Sequence, residues 1–184
     1  MKNIIYKRTI KSTILEGILV AMALILSYVE KMLPIGLIIP IPGIKLGLAN
    51  IVTLFALFYL GVKSALIISF LRCIIAAMLF GGIYSFLFSI SGALMSLLVM
   101  SILMRSYDRY FSIYGISIGG AAAHNIGQII VASLILQSVA VLPYLSLLLF
   151  SSLVTGSLTG YTSGLLITHF DKIGISKMLE SEKL

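Results

Sequence analysis

Ser64-Ala-Leu-Ile-Ile-Ser-Phe-Leu-Arg72-Cys-Ile-Ile-Ala-Ala-Met-Leu-Phe80 is an apolar run with a single charge at its centre. About 20 apolar residues in a helix cross the hydrocarbon core of a bilayer. Arg72 is therefore expected near mid-membrane depth. A guanidinium there costs at least ~2.5 kcal/mol even on the mildest insertion scale, so it must face a protein interior or a watery cavity. Its planar fork suits a phosphate or carboxylate. The plainer role is a tie to backbone carbonyls of neighbouring helices.

The rest of the chain extends this pattern. Of 184 residues, 60% are hydrophobic and 10% charged, against about 25% charged in a soluble domain. This composition predicts an all-α integral membrane protein with one membrane domain spanning 1–184. Six transmembrane helices are expected, at about 13–33, 46–60, 63–80, 84–104, 115–137 and 143–170. No cleavable signal peptide is expected, because the first apolar run is span-length and no small-residue cleavage site ends it. Lys2, Lys7, Arg8, Lys11, Lys63, Arg105, Arg109, Lys172, Lys177 and Lys183 fall at one set of span ends, and only Lys31 and Lys45 at the other. The positive-inside rule then puts both termini in the cytoplasm. The net charge of +7 reads as this topology signal rather than as a nucleic-acid footprint, and the expected location is the cytoplasmic membrane. Cys73 is the one cysteine, which excludes an intrachain disulfide and a metal site of cysteine type.

The connection after the first span is Pro34-Ile-Gly-Leu-Ile-Ile-Pro-Ile-Pro-Gly-Ile-Lys-Leu-Gly47. It is apolar, yet its prolines and glycines break any helix. Apolar, non-helical backbone must be buried in protein or line a cavity when it lies at membrane depth. The segment 34–45 therefore reads as a lid over the outer mouth, or as a surface loop at the headgroups.

Span 5 combines small and polar residues. Gly115, Gly119, Ala123 and Gly127 recur every fourth position and make a smooth packing stripe. His124 and Gln128 stand at i,i+4 and Asn125 and Gln128 at i,i+3, so all three are expected on one side of the helix. Three strong hydrogen-bonding groups there line a ligand cavity or act as interhelical glue, which is worth only ~0.6 kcal/mol per bond on average. Lys45 and Asn50 flank the start of span 2. Lys45 anchors the helix at the headgroups or attracts an anion. Gly156, Gly160 and Gly164 in span 6 are expected to pack within the chain. Gly17 and Ala21 in span 1 have the same spacing and offer a packing face or a docking face for another subunit.

Several chemistries are absent by motif. There is no GxxxxGK[ST] phosphate loop, hence no route to ATP hydrolysis of that kind. Asp108 and Asp171 are the only aspartates; they lie at span ends and form no cluster for a hard cation. No carboxylate is expected inside a span, so Arg72 is expected to lack an acidic counter-ion. No catalytic residue and no metal ligand is assigned. The reading is a binding subunit without its own energy source, not an enzyme.

Pro40-Ile-Pro-Gly-Ile-Lys-Leu-Gly-Leu-Ala-Asn-Ile51, then Arg72, then Gly119-Gly-Ala-Ala-Ala-His-Asn-Ile-Gly-Gln-Ile129 resemble the Gx transporter family, often labelled heptaprenyl diphosphate synthase component I. That family is similar to the substrate-binding S components of energy-coupling factor (ECF) transporters. The resemblance covers about residues 10–170. It implies an S-component-like bundle, a partner T component and two cytoplasmic ATPases, and a cavity near the outer face for a vitamin-like molecule. Members are associated with flavin-based extracellular electron transfer, which implies a flavin as transported ligand and no required cofactor. Lys45, Asn50, Arg72, His124, Asn125 and Gln128 are the candidate substrate-binding residues, and Gly17 and Ala21 the candidate docking residues. Small-molecule ligand, membrane lipid and ECF partners are expected, and no nucleic acid. The alternative is a non-catalytic membrane accessory of heptaprenyl diphosphate synthesis.

Overall fold

Gly82 holds φ at +73° inside a continuous helical run, Gly61–Met104, of 44 residues. A straight helix of that length would reach about 66 Å, twice the hydrocarbon thickness of a bilayer. The left-handed conformation, open to glycine at no steric cost, reverses the chain instead. In the computed structural model, which describes residues 10–33, 45 and 47–174, the two halves of this run pack against each other as a hairpin.

Six α-helices follow in order: α1 Ile10–Met32, α2 Asn50–Tyr59, α3 Gly61–Ala76, α4 Gly82–Met104, α5 Ile113–Leu136 and α6 Pro143–Ile173. A π turn, Ala77–Gly81, ends α3, and a short 3-10 turn, Val139–Val141, precedes α6. No strand occurs among the described residues. Local chemistry marks the helix ends. Ser112 caps α5 by accepting from the Gly115 N–H, Pro143 occupies the first turn of α6, and left-handed Gly174 closes it.

Among the described residues, four helical runs are long and apolar enough to cross a membrane: Ser12–Met32, Gly61–Met104, Ile113–Leu136 and Val139–Ile173. The second of these folds back on itself at Gly82, so that α3 packs against α4. Helix α2 differs from the span expected at 46–60. Its ten residues rise only about 15 Å, half a bilayer, because non-helical backbone at Lys45 and Gly47 precedes it. Eight of its ten residues are buried, and it touches α1, α3, α4, α5 and α6. It is the axis around which the long helices stand.

Contacts along the helices fix their directions. Glu16 meets Ser64 near the starts of α1 and α3, and Lys31 Nζ donates to the Phe80 carbonyl at 2.6 Å near their ends, so these two helices run parallel. The Tyr59 hydroxyl donates to Asp171 Oδ1 at 2.7 Å and to the Ile167 carbonyl at 2.9 Å, tying the end of α2 to the end of α6. Lys63, Arg105, Arg109 and Lys172 thus gather at one end of the bundle, and Lys31 lies at the other.

Glycine sets the close packing of the last three helices. A Cβ at Gly156 would lie 2.6 Å from Ile118 Cα, and one at Gly160 3.0 Å from Tyr114 Cα, so α5 and α6 touch backbone to backbone. A Cβ at Gly127 would lie 2.8 Å from the Ser91 carbonyl of α4. The GxxxG run of α6 therefore packs inside the chain. The outer faces are apolar: Ile14, Ile18 and Met22 on α1, Leu94 and Leu98 on α4, and Leu153, Val154 and Leu158 on α6 are exposed. In water such a continuous coat would aggregate; lipid tails match it.

Candidate functional site

The inward face of α1 carries Ser12, Glu16, Leu19, Ala23, Ser27 and Glu30, a three-to-four residue spacing that is one helical stripe. Both carboxylates of α1 are therefore inside the bundle. The expectation that no span holds a carboxylate is corrected here: it overlooked that this stripe turns Glu16 and Glu30 away from lipid. Glu16 Oε1 accepts from Ser64 Oγ at 2.6 Å. Glu30 Oε1 accepts from the Gly47 N–H, and from the Leu48 N–H at 3.4 Å. Gly47 has φ +86°, which turns two successive amides toward the carboxylate just before α2 begins.

Arg72 reaches the same stripe. Only 2% of its surface is exposed, and its Nη1 donates to Ser27 Oγ at 3.3 Å. Ser27 in turn donates to the Ala23 carbonyl at 2.8 Å. Among the described residues the guanidinium is thus held by a serine hydroxyl rather than by a backbone carbonyl. Ser27 and Glu30 are neighbours on α1 at i,i+3, so the hydroxyl that holds Arg72 and the Glu30 carboxylate share one stripe. A carboxylate thus lies on the stripe that Arg72 reaches, although none pairs with it among the described residues.

Lys45 is buried rather than snorkelling to the headgroups. Its Nζ donates to Ser89 Oγ on α4 at 2.7 Å, and its backbone N–H donates to Gln128 Oε1 on α5 at 3.2 Å. Burial first, and then the Arg72 charge, lower the pKa of its ammonium from the ordinary lysine value, with Glu30 opposing. Gln128 Nε2 pairs with His124 Nε2 at 3.0 Å. The His124 ring fills space that glycine leaves open: a Cβ at Gly92 would lie 2.8 Å from it and one at Gly47 3.4 Å from it. Asn50, one turn beyond Gly47, is buried beside this ring.

The three polar residues of α5 divide between two faces. His124 and Gln128 turn toward α4 and the start of α2. Asn125 turns to α6, where its Nδ2 donates to the Leu148 carbonyl at 2.8 Å. The expected single face is therefore corrected, since adjacent helical residues stand about 100° apart. The structure brings Lys45, Asn50, Arg72, His124 and Gln128 together, with Asn125 behind them. Sequence reasoning missed Glu30, Ser27 and Ser89. The spacing of Ser12, Glu16, Ser27 and Glu30 along α1 was the signal for the first two. The lid expected at 34–45 lies outside the described residues apart from Lys45.

The cluster is underused. Glu30 Oε2, both side-chain atoms of Asn50, Arg72 Nε and Nη2, His124 Nδ1 and Asn125 Oδ1 are buried without a hydrogen-bond partner among the described residues. Each such group costs about 1–3 kcal/mol, and native proteins leave only a few per 100 residues. The cluster holds two basic side chains and one carboxyl group, with donors and acceptors both uncommitted. Such a set can hold a polar or anionic molecule deep in an apolar bundle. Gly17 and Ala21 lie elsewhere, exposed on the outer face of α1, with open space beside Gly17. No group of three or more metal-ligating side chains occurs among the described residues.

A profile of the heptaprenyl diphosphate synthase component I family matches residues 19–166. The chain belongs to that family. The matched range of this component I chain takes in every residue of the buried polar cluster and leaves out Gly17. Comparison with curated proteins and with solved structures returned no match.

Proposed function

We propose that this component I family member is the substrate-binding membrane subunit of an energy-coupling factor transporter. It moves a small vitamin-like molecule across the cytoplasmic membrane, with a flavin (riboflavin, FMN or FAD) as the leading ligand. The observation that carries this reading is the buried, underused polar cluster of Glu30, Lys45, Asn50, Arg72, His124 and Gln128. Such a set is costly in an apolar bundle unless a ligand completes it.

Other features support the same reading. The basic end of the bundle, with Lys63, Arg105, Arg109 and Lys172, is cytoplasmic by the positive-inside rule, as are both termini. The cluster then lies buried in the outer half of a bundle of six membrane segments, α2 being the half-length one. The chain carries no nucleotide loop, so a T component and two cytoplasmic ATPases supply the energy. The exposed Gly17–Ala21 face of α1 suits close approach of a partner helix. No cofactor is required, and no catalytic step is assigned to this chain.

The test is direct. The purified chain is examined for a flavin absorbance band and titrated with riboflavin, FMN and FAD. Binding of one of them with Arg72-dependent affinity is the expected result; binding of none removes the flavin. Copurification with a T component and ATPases tests the partners, and transport by the isolated chain in liposomes would contradict them.

The family description favours a second reading, a non-catalytic membrane accessory of heptaprenyl diphosphate synthesis. A prenyl diphosphate is also an anion with a long apolar tail, and it suits the same cationic cluster. Prenyl synthase activity measured with and without this chain separates the two readings.

A further inference from the structure

The uncommitted atoms of the cluster are of opposite kinds, and this restricts what completes it. Arg72 Nε and Nη2 are donors without partners, and Glu30 Oε2 is an acceptor without one. Helix α1 links the two groups, because Ser27, which accepts from Arg72 Nη1, sits at i,i+3 from Glu30 on the same buried stripe. Glu30 cannot readily turn away, since its other oxygen holds the Gly47 and Leu48 amides. Lys45 directs one of its three ammonium donors to Ser89 on α4.

With Glu30 ionised, the form that its two amide donors favour, a bare oxyanion would satisfy the Arg72 fork and then lie against the carboxylate with two negative charges facing. An oxyanion that carries its own O–H avoids this conflict. Two of its oxygens accept from Arg72 Nε and Nη2, while its hydroxyl donates to Glu30 Oε2. Every uncommitted atom of the Arg72–Glu30 pair is then used.

We propose that Glu30 makes this cluster a site for a protonated oxyanion, namely hydrogen phosphate or a phosphomonoester in its protonated form, and excludes oxyanions without a proton, such as sulfate. The proposal rests on reading the cluster as a ligand site, but not on the ligand being a flavin. The phosphate belongs to a soluble molecule or to a lipid headgroup; the chemistry is the same.

The full chain in detergent is titrated with inorganic phosphate and with sulfate at neutral pH and matched ionic strength. Phosphate should bind about tenfold or more tightly than sulfate, because sulfate leaves a buried carboxylate unpaired. Glu30→Gln keeps an oxygen for the Gly47 and Leu48 amides and adds an N–H that sulfate accepts, so sulfate should gain and the preference should vanish. If this variant does not fold, the wild-type chain still decides. Arsenate, protonated like phosphate, should bind, and selenate, unprotonated like sulfate, should not. Equal binding of phosphate and sulfate, binding of neither, or an unchanged preference in Glu30→Gln overturns the proposal. FMN and lysophosphatidic acid as competitors identify the phosphate's source. Phosphate selectivity without competition by FMN upholds the site and removes the flavin. FMN binding without phosphate-over-sulfate selectivity upholds the flavin and removes this proposal.

Discussion

Gly92→Ala sets two effects of known sign against each other. In a helix interior, alanine is favoured over glycine by about 1 kcal/mol, so propensity alone stabilises the variant. The surroundings oppose it. The new methyl carbon would lie 2.8 Å from His124 Cε1 and Nε2 and 2.9 Å from Cδ2, where carbon contacts prefer about 3.5–4.0 Å. The ring must therefore move by roughly 1 Å. Its retreat is limited on the side of Gly47, whose own Cβ position lies 3.4 Å from ring atoms. Moving also stretches the 3.0 Å contact to Gln128. Overpacking costs about 1–3 kcal/mol and a lost neutral hydrogen bond about 0.5–1.5 kcal/mol. The sum outweighs the propensity gain, for a net loss of about 1–3 kcal/mol. Thermal unfolding in detergent should register this as a fall in Tm of roughly 2–12 °C. In a His124→Ala background the ring is gone, and the same Gly92→Ala change should raise Tm. A rise in Tm on Gly92→Ala in the wild-type background would refute the packing of His124 against α4.

The other predictions concern helix contacts. Gly156→Ala places a methyl group 2.6 Å from the Ile118 Cα, and because backbone must move, α5 and α6 separate at a cost of about 1–3 kcal/mol or more, read by the same unfolding assay. Gly17→Ala meets open space and should leave stability equal or up to ~1 kcal/mol higher, while Gly17→Leu should leave the fold intact and abolish copurification with a partner subunit. Tyr59→Phe loses the hydroxyl's bonds to the Ile167 carbonyl and exposed Asp171 and should cost about 0.5–1.5 kcal/mol. Asn125→Leu removes the bond to the Leu148 carbonyl and should change stability by about 1 kcal/mol or less, with ligand affinity retained, since that bond faces α6.

The helical class was legible because apolar runs end at glycines and prolines, and Arg72 stood out because it is the single charge in its run. The glycine spacing of α6 likewise announced a backbone contact. What the linear order hid was partnership. Arg72 meets Ser27, Lys45 meets Ser89, and Glu30 meets Gly47, pairs far apart in the chain that only helix packing brings together. The buried role of Glu30 was hidden by its place beside Lys31 near a helix end, where charges are ordinarily solvated; the stripe it shares with Ser27 turns it inward. His124 and Asn125 read as one polar patch because they are adjacent, yet adjacency on a helix separates side chains. The short α2 was read as a span because its flanks are as apolar as the helix itself, and only the left-handed Gly47 marks its late start.

The central claim is that the buried polar cluster binds a small polar ligand rather than merely joining helices. Calorimetric titration of the wild-type and Arg72→Gln chains with FMN, riboflavin and inorganic phosphate tests it most directly, with Tm measured on the same samples. Wild type should bind at least one of the three, and Arg72→Gln should weaken that binding by about 10- to 150-fold, the equivalent of ~1.5–3 kcal/mol for a lost charged hydrogen bond, with its fold retained. Binding of none of them, or equal affinity in both chains with a large fall in Tm for the variant, would contradict the claim and leave Arg72 a structural brace.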